Sequence, residues 1–178
     1  MANAIIPSPF GDVQWCADML RDPDYVFMNY QPLYEGHNPF WNKILSGPSA
    51  LRAEYHQHRL PPDHSSASRI TEIRIFLDLG PDLTGQRGIC HGGFLAAVMD
   101  QVAGVLLNAS GLDGGIAPFT ATLGLSYKKP VHCPGIILVT AKIIKVERRK
   151  IWVQTTIQED PDALCTTAEL LFVTKSRL

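Results

Sequence analysis

The sequence has no C-x-x-C pair, no G-x-S-x-G turn and no block of like charge among its 178 residues. Cys16, Cys90, Cys133 and Cys165 are scattered, so neither a zinc ribbon nor a disulfide framework is indicated, and free thiols in a reducing compartment are expected. His56 and His58 alternate on one strand face without a third ligand at metal-site spacing; they read as a wet surface pair, and no metal is expected. Lys and Arg number 16 against 17 Asp and Glu, a balance that speaks against nucleic acid and anionic membrane surfaces as partners. Without a nucleophile elbow, serine-hydrolase chemistry is excluded. Apart from one helix that contains an acid, no run approaches the ~18 apolar residues of a membrane span. Met1–Pro7 lacks the basic lead and apolar core of a secretory signal and the arginines of a transit peptide, which predicts a cytoplasmic chain. Internal repeats and low-complexity tracts are also missing.

What remains is a composition of 46% hydrophobic and 19% charged residues, enough for one domain with a packed core. Its organising stretch runs from Gly88 to Leu107. Glycines at 88, 92 and 93 lead into a helix that is rich in Ala and Leu and carries a single charge, Asp100. A helix apolar on every side is expected to be enclosed by other structure. A carboxylate there costs several kcal/mol unless it is paired, protonated or hydrogen-bonded, which makes Asp100 the first candidate for chemistry.

Helix geometry adds a constraint. Seven residues separate Gly93 from Asp100, which returns to the same face about 10 Å further along. The open amides of the helix start suit a developing negative oxygen. They lie too far from Asp100 of the same chain to serve one reacting carbon. Two antiparallel helices, one from each copy of a two-fold dimer, bring the amide end of one to the acid of the other.

In chain order, Asp12–Asp22 predicts a short amphipathic helix capped by Asp12, with Val13, Cys16, Met19 and Leu20 as its apolar stripe. Asp24–Pro48 is aromatic and broken by prolines, with one helical turn around Trp41–Leu45. Leu51–Tyr55 and Ile70–Leu79 read as strands, and Pro61–Ser66 as a loop. After the helix, Gly111–Gly115 is a turn, followed by strands at Phe119–Tyr127, Gly135–Val146, Lys150–Glu159 and Leu164–Thr174; Glu147-Arg148-Arg149 closes a hairpin. The class is α+β: one long central helix wrapped by a five- or six-stranded antiparallel sheet. Residues 1–60 form an N-terminal helical and irregular extension on the core, and 61–178 the main domain.

The ordered combination His91-Gly92-Gly93, Asp100, Thr120-x-x-Leu123-x-Leu125-x-Tyr127-Lys128-Lys129-Pro130 and Lys145-Val146-Glu147-Arg148-Arg149-Lys150 resembles the hotdog-fold acyl-CoA thioesterases of the PaaI-like clade over roughly residues 70–175. The resemblance implies hydrolysis of an acyl thioester, on coenzyme A or an acyl carrier, with no cofactor beyond the coenzyme A of the substrate. It implies that the Gly92 amide, helped by Gly93, holds the thioester oxygen. His91 lines that pocket, Asp100 of the other subunit acts as general base or nucleophile, and Thr120 positions the water. Gln86 and Cys90 flank the site, and Arg148, Arg149, Lys150 and Lys128 are candidates for the coenzyme A phosphates. A homodimer is implied, with a tetramer also open.

Three positions depart from the family pattern. Many relatives carry Asn where this chain has Gly85, for which Gln86 is a candidate substitute, Asp or Asn where it has Thr122, and Asn where it has Gly124. Two other readings stay open: a hotdog enzyme that tailors or releases a polyketide or acyl chain without hydrolysis, and a non-catalytic acyl-CoA sensor.

Overall fold

The computed structural model describes residues 6–30, 38–61, 68–112 and 118–175. Most of the expected Pro61–Ser66 loop and of the Gly111–Gly115 turn, together with Pro32 and Tyr34, fall outside these ranges.

The fold is α+β, with one long helix lying on a large antiparallel sheet. Helix α1 spans Gln14–Leu20 and helix α2 Gly92–Ala109. The strands are β1 (Tyr25–Phe27), β2 (Leu51–Arg59), β3 (Glu72–Leu79), β4 (Thr84–Gln86), β5 (Ile89–Cys90), β6 (Phe119–Tyr127), β7 (Gly135–Glu147), β8 (Lys150–Gln158) and β9 (Leu164–Val173). Seven strands join in the order β1-β2-β3-β7-β8-β9-β6, rather than five or six, and β4 pairs with β5 separately. The sheet is larger because Tyr25–Phe27, three residues within the aromatic stretch, pair with Gln57–Arg59. So short a segment carries no period of its own; pairing with its neighbour creates it.

The inner face of the sheet packs on α2 through residues such as Ile75, Leu77, Val139, Val153 and Leu170 against Val98, Met99, Val102 and Leu106. On the outer face, Phe10, Cys16 and Leu20 pack on Tyr55, Phe76 and Leu138. Strand β3 lies between both layers, and every one of its residues is buried. This explains why the alternation of Glu72-Ile73-Arg74 gives way to the apolar run Ile75-Phe76-Leu77 in mid-strand.

Arg74 ties the outer layer down. Its Nε donates to Gln57 Oε1 at 2.8 Å, Nη1 reaches Asp22 Oδ2 at 3.2 Å, and Nη2 donates to the Met19 carbonyl. The guanidinium also lies 3.7 Å over the Tyr25 ring. Helix α1 is capped one residue later than expected: Val13 occupies the N-cap without a side-chain bond, and Asp12 instead closes a 3-10 turn, accepting from Ser8 at 2.6 Å. Phe40–Leu45 forms the helical turn expected near Trp41, wound as a π-helix.

Helix α2 is not enclosed all round in a single chain. Gly92, Ala96, Ala97, Asp100, Gln101 and Gly104 stay partly open, and a Cβ at Gly104 would meet nothing within 4 Å. The sheet covers one side of the helix, and no further layer of described residues covers the other.

Phe76 is fully buried between α1 and the sheet, 6.3 Å from the Phe10 ring and 6.0 Å from Trp15. Phe76→Ala is expected to lower stability by about 3–5 kcal/mol, measured as a shifted urea midpoint. A change under 1 kcal/mol would show that the outer layer is not part of the cooperative unit.

Candidate active site

The site residues fall into two clusters at opposite ends of one stretch of α2. At the helix start, His91 is the N-cap, and its Nδ1 accepts the Gly93 amide at 2.9 Å. The acceptor nitrogen carries the lone pair, so the ring proton sits on Nε2. The Leu95 amide donates to the His91 carbonyl at 3.1 Å. Of the four amides with no partner inside the helix, those of Gly92 and Phe94 remain. The Gly93 amide, expected to assist Gly92, is committed to the cap.

Two glycines admit the His91 ring. A Cβ at Gly93 would stand 3.0 Å from Nδ1 and Cε1, and one at Gly85 would stand 2.9 Å from Cδ2. The Gly85 departure thus has a steric basis. Any side chain at that position would displace His91 as it is placed here.

Tyr127, at the end of β6, donates its hydroxyl to the Gly92 carbonyl at 2.7 Å. In the sequence this tyrosine stands out only as part of a motif. The available signal was its place at the end of a strand running back along the helix.

Seven residues from Gly93 along α2, Asp100 Oδ1 accepts from the Thr120 hydroxyl at 2.8 Å. Thr120 stands near the other end of β6. The strand therefore runs antiparallel to the helix, tied to it at Gly92 through Tyr127 and at Asp100 through Thr120. About 10 Å separates the two clusters along the axis.

The remaining candidates divide between these ends. Val173 pairs with both Phe119 and Lys150, so the Arg148-Arg149 hairpin lies at the Thr120 end of the sheet. Arg148, Arg149 and Lys150 border a groove of about 420 Å³ with Trp152 and Val173. Lys128 follows Tyr127 at the other end and is exposed, as is Gln86 on β4. Cys90 is buried, and burial foremost, with the neighbouring Cys133 thiol adding to it, pushes its thiol up to about 12. At neutral pH it remains a protonated thiol, unsuited to attack.

One expectation is corrected. His56 is no wet surface residue: its side chain is 13% exposed, stacks on Tyr30 with ring centroids 5.8 Å apart, and sits 2.9 Å from Glu54. Neighbouring aromatics cover the strand face there, which alternation in the sequence does not show.

His91→Ala removes the helix cap and is expected to lower stability by about 0.5–2 kcal/mol, with His91→Asn keeping most of it. Urea unfolding of both variants measures this; equal midpoints for wild type and His91→Ala would contradict the capping role.

Comparison with known proteins agrees with this architecture. Residues 87–166 match the family model of the thioesterase superfamily. The acyl-coenzyme A thioesterase THEM4 of Rattus norvegicus is 36% identical over 95 residues, 53% of this chain and 39% of that one; THEM4 of Xenopus laevis is 34% identical over 95 residues, 53% and 41%. The chain thus spans about two fifths of the length of these curated relatives. The thioesterase superfamily protein RHA08564 superposes with a TM-score of 0.51 and 32% identity, covering 57% of this chain and 51% of that one. A hypothetical thioesterase from Streptococcus pneumoniae TIGR4, crystallised with coenzyme A, shares the fold with a TM-score of 0.54 at 18% identity, covering 64% and 89%. Over residues 87–166, which hold α2 and most of the strands that follow it, this chain is similar to the thioesterase superfamily, and it has the hotdog fold.

Proposed function

We propose that this chain hydrolyses an acyl-CoA thioester at a composite site formed by two copies. The carrying observation is the Thr120 hydroxyl on Asp100 Oδ1 at 2.8 Å. This bond fixes the carboxylate on the open side of α2 and leaves its second oxygen for a water. In the proposed reaction Asp100 takes a proton from that water, and the resulting oxygen attacks the thioester carbon. The carbonyl oxygen becomes negative and is held by the Gly92 amide, with the Nε2–H of His91 as a second donor; each such donor is worth a few kcal/mol in the transition state. The C–S bond then breaks, the coenzyme A sulfur takes the proton back from Asp100, and a carboxylic acid leaves.

Two features support assembly across a two-fold axis. Strand β6 is a sheet edge of nine residues, Phe119–Tyr127, without a single charge, and Phe119 and Tyr127 are exposed. An edge this long and apolar is suited to pairing with another strand. A two-fold axis between Leu123 and Gly124 sets Thr120 opposite the partner's Tyr127. The acid of one copy then meets the helix start of the other, which closes the 10 Å gap. The same operation brings Arg148 and Arg149 of one copy toward the partner's Lys128, so cations from both ends converge for the phosphates of coenzyme A.

Thioesterase names on the relatives and the solved structure with coenzyme A support this substrate class over a carrier-bound chain. Binding without turnover across a panel of acyl-CoAs would favour the sensor reading.

Asp100→Asn is expected to cut kcat by about 10²- to 10⁴-fold while leaving the urea midpoint close to wild type. Near wild-type turnover in this variant would end the proposal. Light scattering is expected to give at least twice the 19.6 kDa of one chain; a fully active monomer would overturn the composite site.

A further inference from the structure

A second cavity, of about 510 Å³, lies on the other flank of α2 from Thr120. Met28, Trp41, Glu54, His56, Gln101 and Val105 are among its walls. Apart from Gln101 and Val105, these residues precede the stretch that matches the family model. The cavity adjoins the candidate site: Gln101 follows Asp100 directly, and Val105 stands one turn further along the helix. Asn38 donates to Gln101 Oε1 at 2.5 Å, and Trp41 stacks on Phe94 in the first turn of α2 with the ring planes 9° apart. The N-terminal segment is thereby held against the same helix that carries the acid.

The polar content of this cavity is specific. Glu54 accepts from Trp41 Nε1 at 2.6 Å through Oε1 and meets His56 Nε2 at 2.9 Å through Oε2. A carboxylate can only accept, so His56 Nε2 bears the proton and Nδ1 of the neutral ring is an acceptor. That Nδ1 is buried and has no hydrogen-bond partner among the described residues. The complement of a buried lone acceptor is a donor, and with the Arg52 cation on the cavity wall and Tyr30 stacked on the ring an uncharged donor is favoured.

We propose that this cavity receives the distal end of the acyl chain and that His56 selects chains carrying a hydroxyl there. The proposal rests on the thioester-hydrolase reading for the position of the carbonyl, whereas the cavity's preference can be read without turnover. A site built around a hydrogen bond to a ligand hydroxyl rejects the analogue that lacks it far more strongly than an apolar wall rejects a change of size. His56 is a specificity-determining residue in this scheme and takes no part in bond cleavage.

The test compares ω-hydroxyacyl-CoAs of six, eight and ten carbons with the unsubstituted chains of equal length. It measures kcat/KM for the thioesters and Kd for the non-hydrolysable ketones in which methylene replaces the thioester sulfur. Wild type is expected to favour the hydroxylated member at one of these lengths by at least tenfold in both readouts. His56→Phe is expected to bring the ratio to within twofold while leaving the unsubstituted chain unaffected; His56→Gln, which keeps an acceptor, retains part of it. Should His56→Phe unfold, as read by circular dichroism, the Gln variant and Val105→Phe, which fills the cavity, carry the comparison. A hydroxyl preference in Kd without turnover upholds the pocket and overturns the hydrolase reading. Turnover with equal ratios at all lengths, or a ratio unmoved in the His56 variants, overturns the pocket.

Discussion

The geometry of the site depends on one packing relation, the antiparallel run of β6 along the open flank of α2. Tyr127 holds the helix at Gly92 and Thr120 holds it at Asp100, so the spacing between the amide end and the acid is fixed at about two helical turns. Neither bond is strong by itself, about 0.5–1.5 kcal/mol for a neutral pair and more where a carboxylate accepts. Together they define the angle of helix to strand, because two anchors on a rigid rod leave no rotation. Gly92 permits the close approach at one anchor, since a Cβ there would stand 3.3 Å from the Tyr127 hydroxyl.

A rigid rod of this kind keeps its two functional ends apart. Bending α2 to bring Gly92 toward Asp100 would break its hydrogen-bond ladder and expose Val98, Met99 and Val102, which are buried in the core. Reaction at one carbon therefore requires a second copy under the proposed function, which seats that copy on the uncharged β6 edge. Under the same proposal the partly open stripe of α2 faces the second copy. Glycine and alanine on a helix face leave space for a neighbouring backbone, while Asp100 and Gln101 at its middle keep the contact polar enough to admit water.

The parts of this arrangement that were legible in the sequence are those with a local physical signature. The Phe94–Leu107 run declares a helix by composition, and Phe119–Tyr127 declares a strand by its β-formers between turns. Asp100 stands out because a lone acid in an apolar helix is costly. Thr120 was carried by family resemblance, as nothing local distinguishes it from other strand threonines. The Tyr127 bond and the Trp41–Glu54–His56 cluster were not legible, because each joins residues separated by tens of positions or by a register that only the folded sheet sets. Glu54 and His56 alternate with apolar neighbours and so look solvated; Trp41 and Tyr30, on a segment without period, are what cover them. Within β3 the apolar run Ile75-Phe76-Leu77 matches burial on both faces, whereas the buried Arg74 and Asp78 mask that burial in the sequence.

That two-faced burial couples the N-terminal segment to the rest of the chain. The turn before β2 closes directly on the segment that leads toward α2: Gly80 donates to the Ala50 carbonyl at 2.6 Å, and Asp82 to the Ser49 carbonyl at 2.7 Å. A Cβ at Gly80 would stand 2.4 Å from the Ser49 backbone, so this contact tolerates no side chain. The Leu83 carbonyl, one residue beyond Asp82, then accepts the His91 amide at 2.8 Å. A continuous backbone path thus runs from the wall of the 510 Å³ cavity to the N-cap of the helix. Segments joined by backbone bonds at fixed register move together or not at all, so the residues that would choose the acyl chain are held at a constant distance from those that would cleave it. Under the proposed function the division of labour follows from position: α2 and the strands after it would present the groups for bond breaking, and the layer before them would shape what reaches those groups.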